Sequence, residues 1–307
     1  MTDGWSPGPR TRLAGVIGHP VRHSLSPAMH NAAFRALDLD WAYLAFDVAA
    51  GEGAAAVGGA RALGLEGLSV TMPHKEDAAG AVDLLSPAAD ALRAVNTVVR
   101  RPGDVLEGHN TDGAGFVDAL LGDEGFDPAG RRCLVLGAGG AARAVVRALA
   151  EAGAAEVVVA NRTESRAAAA AALAGPVGRV GAPADAAGAE LVVNATPVGM
   201  GGVPAAGAEV LDLEGRRLAG GAGAGPPTVV DPSCLGPGQL VVDLVYHPPL
   251  TPLLEAARDQ GAAAVNGLGM LIHQAALAFR LWTGEDPPLA VMSAAALGEL
   301  ARKGGGP

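Results

Sequence analysis

The string Gly137-Ala138-Gly139-Gly140-Ala141-Ala142 constrains the fold of this chain more than any other feature. It fits the pattern G-x-G-x-x-A, and its setting counts for more than the match. The apolar run 133–136 before it reads as a buried strand, and residues 141–151 after it have helical spacing. A strand running through a glycine turn into a helix is the phosphate-binding turn of a dinucleotide-binding α/β unit. The first glycine makes the tight turn, the second lets backbone approach a pyrophosphate, and the small last residue lets helix and strand pack closely. The free N–H groups and positive dipole end of the helix then face the phosphates. A small-residue helix start with no ligand would fit the string itself, but not its place between strand and helix.

Cofactor choice is read at the end of the next strand, 156–160. A carboxylate there would accept the ribose hydroxyls of NAD. Asn161, Arg162 and Thr163 follow instead, with Arg166 one turn on. A carboxylate would repel a 2′-phosphate, whereas two guanidiniums bind one through charge-assisted forks. The pattern therefore predicts NADP rather than NAD. The competing account is a pair of ordinary arginines on a solvated helix face.

Strands and helices alternate on both sides of this unit. Residues 13–17, 41–48 and 67–70 read as strands, with helices over 27–37 and 52–63. Beyond the glycine turn, strands are expected at 191–193, 240–244 and 262–265, with helices at 164–173 and 268–282. This βαβ rhythm predicts parallel sheets. The 307 residues suffice for two domains. Half are hydrophobic but only 3% aromatic, so the cores are expected to be built from Ala, Val and Leu. The Gly-, Ala- and Pro-rich stretch 211–237 reads as a surface loop. Residues before Leu13 and the tail from Lys303 read as disordered.

The net charge of −10 supplies no basic face for phosphate neutralisation and argues against a nucleic-acid partner. No window approaches 18 consecutive strongly apolar residues, so no membrane span is expected. The first twelve residues lack the apolar centre of a signal peptide, and the chain reads as cytoplasmic. Cys133 and Cys234 sit in no CxxC pair, so neither a disulfide framework nor a cysteine zinc site is expected. His19 and His23 have the spacing of a helical metal pair. Pro20 interrupts them, however, and no third ligand is near, so no metal is expected.

Three clusters outside the nucleotide unit carry candidate chemistry. Ser24 and Ser26, beside the helix start at Pro27, can both donate to one carboxylate, helped by the helix dipole. Alone they would more often be a helix cap. The second cluster is Val70 to Lys75, at a strand end. The third joins Ala94-Val95-Asn96-Thr97 to Asn110-Thr111-Asp112-Gly113. Lys75 and Asp112 are each expected in a loop. A lone Lys or Asp in a loop is usually solvated surface, and these gain weight from standing beside a nucleotide unit.

The strings GHPVRHSLSP, SVTMPHK, AVNTVV, HNTDG, GAGGAARAV, NRTESRA, NATPVGM, VYHPPLTPLL and NGLGMLIHQAALAF follow one another in this order. Together they resemble the shikimate dehydrogenase family over nearly the whole chain. The resemblance implies an α/β protein of two domains. An N-terminal substrate-binding and catalytic domain (1–111) would be completed by C-terminal helices (268–307). A Rossmann-type NADP-binding domain (112–267) would be inserted between, with the active site in the cleft between domains. It implies that Ser24 and Ser26 hold the substrate carboxylate, that Thr71, Asn96, Asp112 and Gln274 bind ring hydroxyls, and that Tyr246 flanks the substrate. Lys75 and Asp112 would be the catalytic pair. Gly137, Gly139, Gly140 and Ala141 would take the pyrophosphate. Asn161, Arg162, Thr163 and Arg166 would take the adenosine phosphate end, and Thr196 and Gly267 would lie near the nicotinamide.

The activity so implied is reversible, NADP-dependent reduction of 3-dehydroshikimate to shikimate, in aromatic amino-acid (chorismate) biosynthesis. Transfer of hydride to a ketone builds negative charge on oxygen, so a proton donor beside it lowers the barrier, and Lys75 is of the right type. A relative acting on quinate or on an amino analogue of shikimate is the nearest alternative. Ser26 favours shikimate, since threonine is expected there in many quinate users. A non-catalytic ligand sensor on the same fold is a further alternative, and the presence of both Lys75 and Asp112 speaks against it. A homodimer is compatible with the resemblance, but the sequence does not fix the oligomeric state. Three positions depart from the family pattern: Ser69 where Asn is usual, Arg93 where Gly is usual, and Asn266 where Asp is often found. Glycine at position 93 suggests a backbone requirement.

Overall fold

The computed structural model describes residues 6–200 and 228–304. The Gly- and Pro-rich residues up to 227, and the extreme residues at both ends, lie outside the described residues. The chain forms two compact units, one of residues 1–111 with 272–307 and the other of residues 112–271.

The first unit runs β1 (Arg12–Gly18), α1 (Ser26–Ala36), β2 (Trp41–Asp47), α2 (Gly53–Ala62), β3 (Gly67–Val70), α3 (Lys75–Ala81), β4 (Leu84–Leu85), α4 (Pro87–Leu92), β5 (Thr97–Arg101) and β6 (Val105–His109). Its sheet has the order β2-β1-β3-β5-β6-β4. The strands β1, β2 and β3 are parallel, as the βαβ rhythm requires. The sheet as a whole is mixed, because β5 runs antiparallel to β3 and to β6. The β5–β6 connection is a hairpin over Pro102, Gly103 and Asp104, the last two with φ of 81° and 67°. Proline followed by residues that tolerate positive φ is the chemistry of a tight turn.

The cores are built mainly of Ala, Val and Leu, as expected, and one corner of this unit is aromatic in addition. His30 of α1 stacks on Tyr43 with centroids 4.4 Å apart. Phe34, Phe279 and Trp282 surround it, and Trp41 packs on Phe34. The Trp282 indole N–H donates to the Val98 carbonyl at 3.0 Å. Gly67 makes room for this ring, since a Cβ there would lie 2.4 Å from the indole nitrogen. His30 is fully buried, and among the described residues neither ring nitrogen has a hydrogen-bond partner. Burial pushes its pKa down to about 3. The folded value lies below the ordinary 6.5, so the unfolded chain binds the extra proton. Stability from this site is full above pH 6.5 and falls as pH drops toward 3. The expected slope is up to about 1.4 kcal/mol per pH unit. His30→Phe is expected to flatten that slope in urea unfolding at pH 7, 6 and 5, and equal slopes in the two proteins would contradict it.

The second unit runs α5 (Asp112–Gly122), β7 (Arg132–Leu136), α6 (Gly140–Glu151), β8 (Glu156–Ala160), α7 (Glu164–Ala171), β9 (Gly178–Val180), β10 (Leu191–Asn194), β11 (Leu240–Asp243), α8 (Pro252–Asp259) and β12 (Ala263–Asn266). From there α9 (Leu268–Thr283) leads back into the first unit, where α10 (Leu289–Gly304) ends the described chain. The sheet is wholly parallel, in the order β12-β11-β10-β7-β8-β9. Its strands are buried on both faces. Cys133 and Val135 of β7 join Val157 and Val159 of β8 in one core, while Leu134, Leu136, Val158 and Ala160 join the other. Near-continuous apolar runs are what such strands require. The strand order reverses between β7 and β10, where open α/β sheets take their ligands.

Two expectations about irregular segments are corrected. Within 228–237, Val229, Val230 and Leu235 are buried in the second unit's core rather than on a surface loop. Lys303 is not in a loose tail. It belongs to α10, and its Nζ donates to the carbonyls of His23 and Ser24 at 3.2 and 3.5 Å.

Candidate active site

In the first unit the candidate residues stand at the ends of β1, β3 and β5 and at helix starts. Ser26 opens α1 and is buried, and its N–H donates to Ser24 Oγ at 3.2 Å. The Ser24 hydroxyl thus accepts locally while its proton remains a donor. Behind Ser26 lies the buried Tyr43 hydroxyl, which donates to Ser69 Oγ at 2.7 Å and also meets the Ser26 side chain. Burial pushes the Tyr43 pKa up, against the pull of those two serines. Ser69, one of the departures from the family pattern, therefore has a definite partner.

Thr71 follows β3. Its N–H donates to the Ile17 carbonyl at 2.9 Å, and its methyl fills the space where a Cβ on Gly18 would stand, 2.3 Å away. Lys75 is the first residue of α3, a correction to its expected loop setting. It is anchored on both sides. The fully buried His74 ring places Nε2 2.8 Å from the Val48 carbonyl, and the Lys75 carbonyl accepts from Val95 N–H at 2.9 Å. Asn96 is buried. Its Oδ1 accepts from Thr111 N–H at 2.9 Å and Thr97 Oγ1 at 3.0 Å, and its Nδ2 donates to Thr111 Oγ1 at 3.0 Å. Thr111 in turn donates to the Gln274 carbonyl at 3.2 Å, which ties α9 to the same cluster. Arg93 shows why glycine suits its position: it closes α4 in the left-handed conformation, with φ 49° and ψ 39°. His19 pairs through Nδ1 with Asp47 Oδ1 at 2.8 Å. Among the described residues no group of three or more His, Cys, Asp or Glu lies together.

In the second unit Asp112 is buried and opens α5, so it too begins a helix rather than sitting in a loop. Gly113 beside it lets α5 lie against α6, since a Cβ there would fall 2.6 Å from the Ala144 carbonyl. At the glycine turn, Gly137 has φ 109°, and a Cβ would lie 2.9 Å from the Ala195 carbonyl. Gly139 caps α6 and Gly140 begins it, with nothing among the described residues within 4 Å of a Cβ at either position. Ala142 is fully buried, as the close helix–strand packing needs, and Ala141 is half-buried. This open turn at the start of a twelve-residue helix fits a pyrophosphate. After β8, Asn161 donates to the Thr163 carbonyl at 3.0 Å, and Arg162, Thr163 and Arg166 are exposed. Neither arginine meets a carboxylate among the described residues, and none closes the end of β8. The donor set fits a phosphorylated ribose.

Thr196 follows β10, and its N–H and Oγ1 both bond Asn194 Oδ1, at 3.0 and 2.7 Å. Tyr246 is half-buried, and burial raises its pKa. Gly267 tolerates no side chain, because a Cβ would lie 2.2 Å from the Leu244 carbonyl. Asn266 caps α9 by accepting from Leu268 N–H at 3.1 Å and donates to the Pro249 carbonyl at 3.0 Å. Either oxygen-bearing side chain could make that cap, but only the amide supplies the donor to Pro249. Tyr43, His74 and the Asn194–Asp243 pair support the site without standing out in the sequence motifs. The last left a signal, in that two buried strands, LVVN and LVVD, both end on a polar residue.

Comparison with known proteins covers the same segments. The family model for the shikimate dehydrogenase substrate binding domain matches residues 16–98. That for shikimate / quinate 5-dehydrogenase matches 121–180, and that for the shikimate 5′-dehydrogenase C-terminal domain matches 267–297. The shikimate dehydrogenase (NADP(+)) of Moorella thermoacetica is 44% identical over an alignment covering 97% of this chain and 96% of that one. The solved shikimate 5-dehydrogenase of Thermus thermophilus, in complex with NADP(H) and shikimate, has TM-score 0.80 at 38% identity and covers 94% of this chain and 99% of its own. The quinate dehydrogenase of Corynebacterium glutamicum, in complex with NAD, has TM-score 0.79 at 35% identity over the same shares. Backbone shape alone therefore does not separate the two substrates or the two cofactors, and side chains must.

Proposed function

The chain belongs to the shikimate dehydrogenase family, and from that premise we propose how its residues reduce 3-dehydroshikimate to shikimate with NADPH. NADPH, when bound, supplies the hydride that the ring ketone takes up. Lys75 gives its proton to the ketone oxygen as negative charge builds there. Asp112 holds the ammonium and one ring hydroxyl. Ser24 and Ser26 take the substrate carboxylate at the start of α1, where the helix dipole favours an anion. Thr71, Asn96 and Gln274 bind the remaining hydroxyls, and Tyr246 flanks the ring. Gly137, Gly139, Gly140 and Ala141 bind the pyrophosphate, Asn161, Arg162, Thr163 and Arg166 the adenosine phosphate end, and Thr196 and Gly267 the nicotinamide side. No helix among the described residues is long and apolar enough to cross a membrane; a cytoplasmic location is part of this proposal.

The observation that supports this reading most is the exposed Arg162–Arg166 pair after β8, a strand closed by Asn161 rather than by a carboxylate. It joins the NADP side of the family to the complete set Ser24, Ser26, Thr71, Lys75, Asn96, Asp112 and Gln274. Ser26 adds a preference for shikimate over quinate, a one-methyl effect of about 1–3 kcal/mol. The test is steady-state kinetics with NADPH and NADH, each against 3-dehydroshikimate, and the reverse reaction with shikimate and quinate. The expected result is a kcat/KM favouring NADPH and shikimate by at least about tenfold. A preference for NADH or for quinate would overturn the reading.

A further inference from the structure

The ends of β10 and β11 carry a buried polar group that the proposed reaction leaves without a role. Asn194 and Asp243 close their strands in parallel register, and their side chains are 1% and 0% exposed. Asp243 Oδ1 accepts from Asn194 Nδ2 at 2.9 Å and from Val245 N–H at 3.1 Å. Its Oδ2 accepts from Thr251 Oγ1 at 2.6 Å. Asn194 extends the chain of bonds: Nδ2 also donates to the Val198 carbonyl at 3.2 Å, and Oδ1 accepts both the N–H and the hydroxyl of Thr196. The Thr196 hydroxyl then accepts from Val198 N–H at 3.2 Å. Gly199, with φ 95°, packs over Thr251.

The direction of these bonds is set from both ends, since Asp243 only accepts, the Thr196 N–H only donates and the Val198 carbonyl only accepts. A carboxylate only accepts, so Asn194 must turn its NH₂ toward Asp243 and its carbonyl toward Thr196. That choice makes the Thr196 hydroxyl a donor to Asn194 and an acceptor from Val198. An amide at position 243 would keep its oxygen toward Asn194 and the Val245 N–H, but would set an NH₂ against the Thr251 hydroxyl, which now donates to Oδ2. Burying a carboxylate is also costly unless it is fully bonded. Burial raises the Asp243 pKa, only partly opposed by Thr251, Val245 and Asn194. A strand end otherwise made of valines has no packing need for such a group.

We propose that Asp243 is a positioning residue for the reduction: through Asn194 it orients Thr196, and through Val245 and Thr251 it fixes the segment 245–251 that carries Tyr246. This rests on the proposed function, in which Thr196 serves the nicotinamide side and Tyr246 the substrate. Misplacement of a reacting group by about 1 Å can lower turnover on the order of 10²-fold. Asp243→Asn is therefore expected to lower kcat by about 10- to 10²-fold, with both KM values within about threefold. In the absence of substrate, it should shorten and broaden the fluorescence lifetime of bound NADPH while Kd stays within about threefold. Thr251→Val should act in the same direction, and Thr251→Ser, which keeps the donor to Oδ2, should restore both readouts.

A folded Asp243→Asn protein with wild-type kcat and lifetime would overturn the proposal, as would a variant in which only Kd or KM rises. Should Asp243→Asn fail to fold by circular dichroism, Thr251→Val decides by the same readouts. A wild-type protein that binds NADPH but leaves 3-dehydroshikimate unreduced would overturn the functional reading. The lifetime at constant Kd would then decide the Asp243 proposal by itself.

Discussion

Turnover of 3-dehydroshikimate is expected to fall by about 10²–10⁴-fold when Lys75 is replaced by alanine, with NADPH affinity changed by no more than about twofold. The backbone around position 75 is held by the His74 ring on the Val48 carbonyl and by the Lys75 carbonyl on Val95 N–H. Alanine keeps both. A cation in the first turn of α3 also opposes the helix dipole, an effect of about 0.3–1 kcal/mol, and alanine is the better helix former. Backbone anchoring and helix propensity at position 75 thus survive the change while the proton donor is gone, and circular dichroism checks that the variant is folded. Asp112 differs in this respect, since a carboxylate opening α5 has the sign the dipole favours. Its removal would mix a stability loss with a catalytic one. The Lys75→Ala measurement is kcat from NADPH absorbance together with Kd from fluorescence titration. Turnover above about a tenth of wild type would remove Lys75 from the role.

The second large effect is expected at the adenosine end. Arg162→Ala combined with Arg166→Ala should raise the KM for NADPH by about 10²-fold and leave that for NADH nearly unchanged. Hydrogen bonds to charged groups contribute about 1.5–3 kcal/mol each, and 1.4 kcal/mol is tenfold. Both side chains are exposed, so solvent screening reduces each contribution, and the two together account for a hundredfold change. Screening supplies an internal check: the wild-type preference for NADPH should shrink between about 0.05 and 0.5 M salt, while the double variant should be nearly indifferent. Equal losses for NADPH and NADH would mean that the arginines support the turn rather than read the phosphate.

The nucleotide unit was legible because both faces of its sheet are buried. Continuous runs such as Cys133 to Leu136 and Val157 to Ala160 leave no other assignment, and the glycines at 137 and 139 mark the turn into α6. The first sheet was legible only through β3. The strands Thr97–Arg101 and Val105–His109 carry paired arginines and Glu107, so their alternation is weak, and only Pro102-Gly103-Asp104 marks the hairpin. The helix begun by Lys75 is seven residues long and holds Gly80, too short and too permissive to declare itself by period. Candidate residues stood out as types, whereas their supports did not. The stack of His30 on Tyr43, the phenol behind Ser26 and the Asp243 network each depend on residues far apart in the chain. The register of parallel strands, which brings Asn194 level with Asp243, is not written in either segment alone.

The aromatic corner around His30 has a consequence for how the chain comes into being. Its walls are contributed by residues near both ends: Phe34 and Tyr43 on one side, Phe279 and Trp282 on the other. During synthesis, at roughly 5–20 residues per second, the early half of this corner waits on the order of tens of seconds for its closing half. Every strand of the second unit emerges in that interval. The nucleotide-binding unit can thus be complete while the earlier segment still exposes His30, Phe34 and Tyr43, and α9, which leaves the ribosome after that unit, brings the rings that cover them.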